Sequence, residues 1–525
     1  MQKIIDYTKQ YIGVISIVLA LCILLTYSLS YFKVNIDNKR AAEMYIGELK
    51  YSMTIEGNST NTLSVPSGET IVDIDLTNQN EIKTYYKLLY LKNANISISY
   101  FNQTKNTSDE LTSYKSPGDL VESKSVNNLK LKILNNSASS QTLTFKVSGG
   151  YSTNTLADVE VPNTYTEITS LETPSTNTYF CKTNDTLTRG LEYVDGQYTY
   201  GYKKESKYSS SGLAWSNISN NGWGVQLTDK TSTVTVNTNV CTYVNNKPVV
   251  SAAYMFSGSK ATTLDVSKLN TSNFINMNNM FSYSSATSLD LRNFNTSNVT
   301  NMREMFRGSS ATSLDLSSFN VQNVTNMDSM FYYSSATSIK FKEFNASKVT
   351  NMRYMFANSK ATSLDLSSFD TSNVTNMGSM FYNSQATTLD LRNFNTSNVV
   401  NMGSMFSESQ ATTLDLSNFN TSKVTNMRKM FLGIKAKTLD LSSFDTSNVT
   451  NMYQMFMSSS NLTTIYASDK FVTNKITDTT LGTYLFSGCT KLVGGAGTAY
   501  SSTKTDKTYA RIDGGTSSPG YFTSK

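Results

Sequence analysis

Between Ala252 and Met457 the chain repeats one unit of 25 residues without slippage. A Met-Phe pair marks each copy, beginning at Met255, Met280, Met305, Met330, Met355, Met380, Met405, Met430 and Met455. A fixed period of about 20 to 50 residues is the mark of a solenoid or another stacked array. One such unit cannot bury its own apolar face, so neighbouring units must bury it for each other. That requirement excludes an ordinary globular fold for this half of the molecule.

The columns of the repeat divide into two rhythms. Leu289-Asp290-Leu291 alternates apolar and polar residues and reads as a short half-buried strand. The triplet returns at Leu314, Leu364, Leu389, Leu414 and Leu439, with Leu264-Asp265-Val266 and Ile339-Lys340-Phe341 as variants. Stacked copies would form a parallel sheet at about 4.8 Å per coil. The Leu columns and the column Phe294, Phe319, Phe344, Phe369, Phe394, Phe419 and Phe444 would point inward. Val299, Met302, Met305 and Phe306 follow a step of three, three and one, which predicts a short helical turn with one buried face. Asn301 and its equivalents precede the first Met; they suit either a cap on the helix start or a ladder of stacked amides. Gly258, Gly308, Asn358, Asn383 and Gly433 stand two residues after the Met-Phe pair, where a left-handed residue would end the turn. The Met columns are better read as core filling than as a soft-metal site, because Met beside Phe at helical spacing usually packs.

The strings Leu389 to Phe406 and Leu439 to Phe456 make the repeat similar to the BspA-like leucine-rich repeats of bacterial surface proteins. The likeness covers roughly the C-terminal 55–60% of the chain. Family members commonly carry Cys three residues after the Phe and Leu three later. Here those columns hold Ser284, Ser309 and Ser359, then Ala286, Ala311 and Ala361, which suggests tighter packing between coils. Phe486 to Leu492, with Cys489, keeps the family form. The resemblance implies an extracellular or surface-bound recognition protein and names no ligand.

The rest of the chain frames this array. Residues 1–10 form a short head with Lys3 and Lys9, and 11–32 run without a charge. At about 1.5 Å per residue that run can cross a hydrocarbon core of about 30 Å. It suits an uncleaved transmembrane anchor; the alternative is a signal that is cleaved, leaving a secreted protein. The resemblance to surface proteins then places residues 33–525 outside the cell. Residues 33–171 hold alternating runs such as Thr70 to Leu76, Leu129 to Ile133 and Leu143 to Val147, separated by turn clusters. They predict a β-sandwich-like spacer domain. Residues 172–251 read as a β-rich junction and N-terminal cap, with Cys181 and Cys241 as a candidate disulfide. The expected solenoid covers 252–490, and 491–525 a C-terminal cap.

The expected fold is therefore a leucine-rich-repeat-like solenoid, with one short parallel strand and one short helical turn per coil, behind a sandwich-like domain and a transmembrane helix. A formal charge of +6 over 525 residues is too dilute for a nucleic-acid partner. The chain has no histidine, which excludes Ser-His-Asp and Cys-His catalysis and His-based metal sites. No cofactor and no metal site is expected. The candidate ligand-facing column is Asp265, Asp290, Asp315, Lys340, Asp365, Asp390, Asp415 and Asp440. Arg292, Lys342 and Arg392 stand two residues further along their coils. Lying between inward Leu residues, these side chains point outward. A solvated ladder, a strip that meets a basic or hydroxyl-rich partner, and a calcium ladder all remain open; the glycine-rich nonapeptide that wraps calcium in other solenoids is absent. The function expected is recognition of, or adhesion to, an extracellular protein or glycan. A structural spacer is the alternative. Hydrolysis of glycans by paired carboxylates is disfavoured, because it needs two unlike environments and a repeated column supplies equivalent ones.

Overall fold

A computed structural model describes residues 49–101, 120–168, 171–172, 180–181, 191–195, 198–204, 222–227, 229–238 and 240–525. The apolar run at 11–32, expected to span a membrane, lies outside the described residues. Among those described, no helix is long and apolar enough to cross a membrane. The chain divides into two units, Met1–Pro174 and Ser175–Lys525.

In the first unit the alternating runs become two five-stranded sheets. Tyr51–Ile55, Gly68–Asn78, Val126–Asn135, Ile96–Phe101 and Leu171–Glu172 lie side by side in that order. Thr62–Val65, Gln141–Gly150, Thr84–Leu91 and Leu120–Val121 form the second sheet, with Tyr165–Glu167 also paired to Thr84–Leu91. Val72, Ile74, Leu76, Leu88, Leu131 and Phe145 from both sheets share one buried cluster. The intervening residues pair on the other face, as in Lys130–Asp73 at 2.6 Å on directly opposed strand positions.

The second unit is a parallel β-solenoid of about nine turns with almost no helix. Its clearest register mark is a run of parallel bridges from Ser251 through Asn276, Asn301, Asn326, Asn351, Asn376, Asn401 and Asn426 to Asn451. The strand triplets stack as expected where Leu314 faces Ile339 and Leu364 faces Leu389. At Leu289 and Leu414 the regular strand lapses. Outer threonines keep the coils in register there, with the Thr312 amide on the Thr287 carbonyl at 3.0 Å.

The expected helical turn is absent. From Met302 to Ser309 the amides alternate between two backbone destinations, apart from that of Arg303, which donates to the Asn301 side chain. Those of Met302, Glu304, Phe306 and Gly308 donate to carbonyls of the next coil, at Asn326, Asp328, Met330 and Tyr332. Those of Met305, Arg307 and Ser309 donate three residues back, closing turns. A helix would send its amides to carbonyls four residues back, apart from those of its first turn; here the neighbouring coil supplies half of the acceptors instead. The geometry requires two left-handed residues per coil. Gly258, Gly308, Asn358, Asn383 and Gly433 fill one position, as the sequence predicts, and Tyr283, Tyr333, Glu408 and Ser458 fill it in the remaining copies. The other falls before the second Met, at Tyr254, Asn279, Glu304, Ser329, Tyr354, Ser379, Ser404, Lys429 and Gln454. No residue preference in the sequence marks it.

Inside, the Met-Phe columns are fully buried. Successive rings from Phe256 to Phe456 stack with centroids 5.3–5.8 Å apart. Ser284, Ser309 and Ser359 are buried, and each hydroxyl accepts the amide of the Ala two residues later at 3.3 Å. Both ends of the core are covered. At the N-terminal end the strand Trp223–Leu227 joins the core cluster, and the Leu227 amide reaches the Met255 carbonyl. At the C-terminal end Thr438–Leu441, Thr464–Ala467 and Phe522–Ser524 form a parallel sheet, and Tyr521 and Phe522 close over Phe486.

Candidate functional site

The Asp column lies on the outer surface, and it is not idle. Asp365 Oδ1 accepts both the amide of Ser367 at 3.0 Å and its hydroxyl at 2.6 Å. Asp265, Asp415 and Asp440 hold Ser267, Ser417 and Ser442 in the same way. Asp315 accepts the Ser317 amide at 3.0 Å. Each carboxylate thus closes the corner that follows its strand, a turn favoured by Asp for this reason. Where Arg replaces Ser, the guanidinium joins in. Arg292 grips both oxygens of Asp290, and Arg392 those of Asp390. Those hydrogen bonds hold both carboxyls down, at about 2. Lys340 replaces Asp and sits 3.3 Å from Asp315, while Lys342 is exposed. Lys525 pairs with Asp440. Among the carboxylates of the column, Asp290 and Asp390 carry Arg partners and Asp315 and Asp440 carry Lys partners.

Asn equivalents add two more such turns per coil, as at Asn295 with Ser297 and Asn301 with Arg303. The Asn301 column caps no helix, since none forms, but it closes turns and in part builds the expected ladder. Its side chains accept the amide two residues on, and Asn376, Asn401 and Asn426 also form an amide ladder at 3.1 and 3.0 Å. The ladder's neighbours are Gly378 and Gly403, where a Cβ would come within 2.9 Å of the Asn amide nitrogen.

A second surface went unread in the sequence. The turn segment Met302–Gly308 buries its Met and Phe side chains and turns its other side chains outward or into polar pairs. Tyr283, Arg307, Tyr332, Tyr333, Tyr354 and Arg353 meet there across four successive coils. The Arg307 guanidinium lies between the rings of Tyr283 and Tyr332, 5.5 and 5.2 Å from their centroids. Tyr332 contacts Tyr333 and Tyr354, and Arg353 lies 4.6 Å over the Tyr354 ring. Glu304, buried beneath, takes hydrogen bonds from Arg307 at 2.7 Å and Asn279 at 3.0 Å and pairs with Arg303. Gly308 leaves room for Tyr283, whose ring carbons would stand 2.5 Å from a Cβ there. Tyr283 and Tyr333 remain 52% exposed, which makes them available to a ligand. The signal was present as variation. The Met and Phe columns of the core scarcely change between copies, whereas Glu304 becomes Ser329, Tyr354, Ser379 and Lys429, and Arg307 becomes Tyr332, Ala357 and Leu432.

Cys181 and Cys241 are joined by a disulfide across 60 residues of sequence. Among the described residues no group of three or more acidic or Cys side chains is placed to hold a metal ion.

No curated protein and no solved structure matches the chain. A family model does match, in overlapping stretches at residues 228–340, 307–416, 334–437, 362–469 and 387–497. Together these cover more than half of the chain and coincide with the solenoid. The chain therefore belongs to the family described as "Mycoplasma protein of unknown function, DUF285".

Proposed function

We propose that this is a bacterial surface protein that displays its solenoid for recognition of an extracellular protein or glycan. The observation that carries this reading is the division of labour within each coil. Side chains that build the coil are nearly constant and buried, and those on the outer turn wall change from copy to copy. A repeat array used this way presents an extended surface whose chemistry is adjustable without touching the core. The likeness to BspA-like repeats favours the surface setting, as does the disulfide, which persists in oxidising compartments. In this reading residues 11–32 anchor the chain, and the paired sheets of the first unit act as a sandwich-like spacer.

Two measurements test it. Protease added to intact cells should remove residues 33–525 and spare the head. Full-length protein in detergent should then capture a ligand from a panel of matrix proteins and glycans. Resistance to protease in intact cells would sink the surface assignment. A spacer without a ligand is the second reading, favoured by the evenness of the Asp and Thr columns. It predicts no capture, and a cell-surface reach that shortens in step with deleted coils.

A further inference from the structure

The turn wall between Tyr283 and Tyr354 is small, aromatic and slightly basic. Its four coils are three steps of about 4.8 Å apart, so it extends about 14 Å along the axis. A stable protein interface needs about 800 Å² on each partner, far more than this strip and its few side chains offer. A narrow linear ligand fits it better. The exposed Tyr faces are flat apolar plates with polar edges, the surface on which the C–H face of a sugar ring stacks. Asn358, in the same copy as Tyr354, and Asn383, in the next, are hydrogen-bonded to each other at 2.8 Å on the same wall and carry further amide donors and acceptors. The charge is not balanced. Arg303 and Arg307 share Glu304 and Asp328, whereas no carboxylate among the described residues lies within ion-pair distance of Arg353.

We propose that this wall binds a linear acidic polysaccharide, with Tyr283 and Tyr333 stacking on sugar rings and Arg353 pairing with a carboxylate or sulfate. The rings are positioned for the task before any ligand arrives. Arg307 and Gly308 fix Tyr283, and the Tyr332–Tyr333–Tyr354 contacts fix the rest, so little ordering is left to oppose binding. The proposal rests on the recognition reading and narrows it to one face and one ligand class.

The test uses full-length protein with fragments of heparin and hyaluronan, dextran as the neutral control and polyglutamate as the acidic peptide control. Binding is followed by interferometry at two salt concentrations. Wild type should bind heparin or hyaluronan, more weakly at high salt, and ignore dextran. The Tyr283→Ala/Tyr333→Ala double variant and Arg353→Gln should each lose about tenfold or more in affinity, while Tyr333→Phe retains it. Unchanged thermal melting keeps these losses from being read as misfolding, since both Tyr side chains are half exposed. Absence of acidic-glycan binding by wild type overturns the proposal, as does equal affinity in the double variant. Polyglutamate binding that is equally tight and lost in the same variants also overturns it, in favour of an acidic peptide. A chain that captures a protein in the wider panel but no acidic glycan keeps the recognition reading and loses this one.

Discussion

Asp513 and Asp365 put the same side chain to unequal use. Asp513 is buried in the C-terminal cap and accepts the amides of Ala496, Thr498 and Gly515 at 2.9 Å and the Thr498 hydroxyl at 2.7 Å. Burial pushes its carboxyl up, but those hydrogen bonds outweigh it and hold the group at about 2. An unfolded Asp titrates near about 3.9. The folded value is depressed, so its stabilisation is fully present above about pH 4 and is lost as pH falls through about 2. The cap should therefore loosen below about pH 4, read as faster amide exchange at Phe522–Ser524. Asp513→Ala leaves several buried donors unmet and should cost about 2–4 kcal/mol in urea melts. The Asp365, Asp390 and Asp415 carboxylates are solvated, so their individual worth is small. Changing all three to Asn keeps the turn acceptor and should leave the urea midpoint nearly unchanged. Changing them to Ala removes it and should lower the urea midpoint. Equal losses in the two triple variants would show that the turn bond contributes nothing.

The coil as an element is held by two kinds of bond, apolar stacking inside and hydrogen bonds between neighbours outside. Met352 has no exposure and lies in the fully packed column, so Met352→Ala should cost about 2–5 kcal/mol. A loss below about 1 kcal/mol would mean that the column collapses to fill the space. The helical period in Val299, Met302, Met305 and Phe306 was a correct sign of one-sided burial and a wrong sign of helix. A step of three suits a run of tight turns as well as a helix. What separates them is where the amides of Glu304 and Phe306 find acceptors, and those acceptors lie 24 residues away, on Asp328 and Met330.

For the whole molecule, stability in a stacked array is close to a sum of coil and interface terms, so the ends matter more than their size suggests. The Cys181–Cys241 disulfide joins two stretches of the N-terminal cap that lie 60 residues apart in sequence. Replacing both residues with Ser should lower stability by about 2–4 kcal/mol, and reduction of the native protein should do the same. No change in the denaturation midpoint on reduction would show that the cap holds without it. Cys489 should behave differently. Burial pushes its thiol up to about 12, so it should stay unmodified by alkylating reagents at pH 8 until the solenoid unfolds.

The sequence alone determined the period, the inward columns, the left-handed Gly and Asn positions and the outward Asp column. Each rests on a local rule in which one residue type signals one environment. Only the tertiary structure decided the rest. It replaced the helical turn with bonds to the next coil, gave the Asn column turns to close and a partial ladder in place of a helix cap, and engaged the Asp column in its own turns. It also assembled Tyr283, Arg307, Tyr332 and Arg353 into one surface. Those four residues come from four different copies, 21 to 25 residues apart in sequence. No local pattern joins them; the stacking of coils does, because it sets every residue beside its equivalent one repeat away.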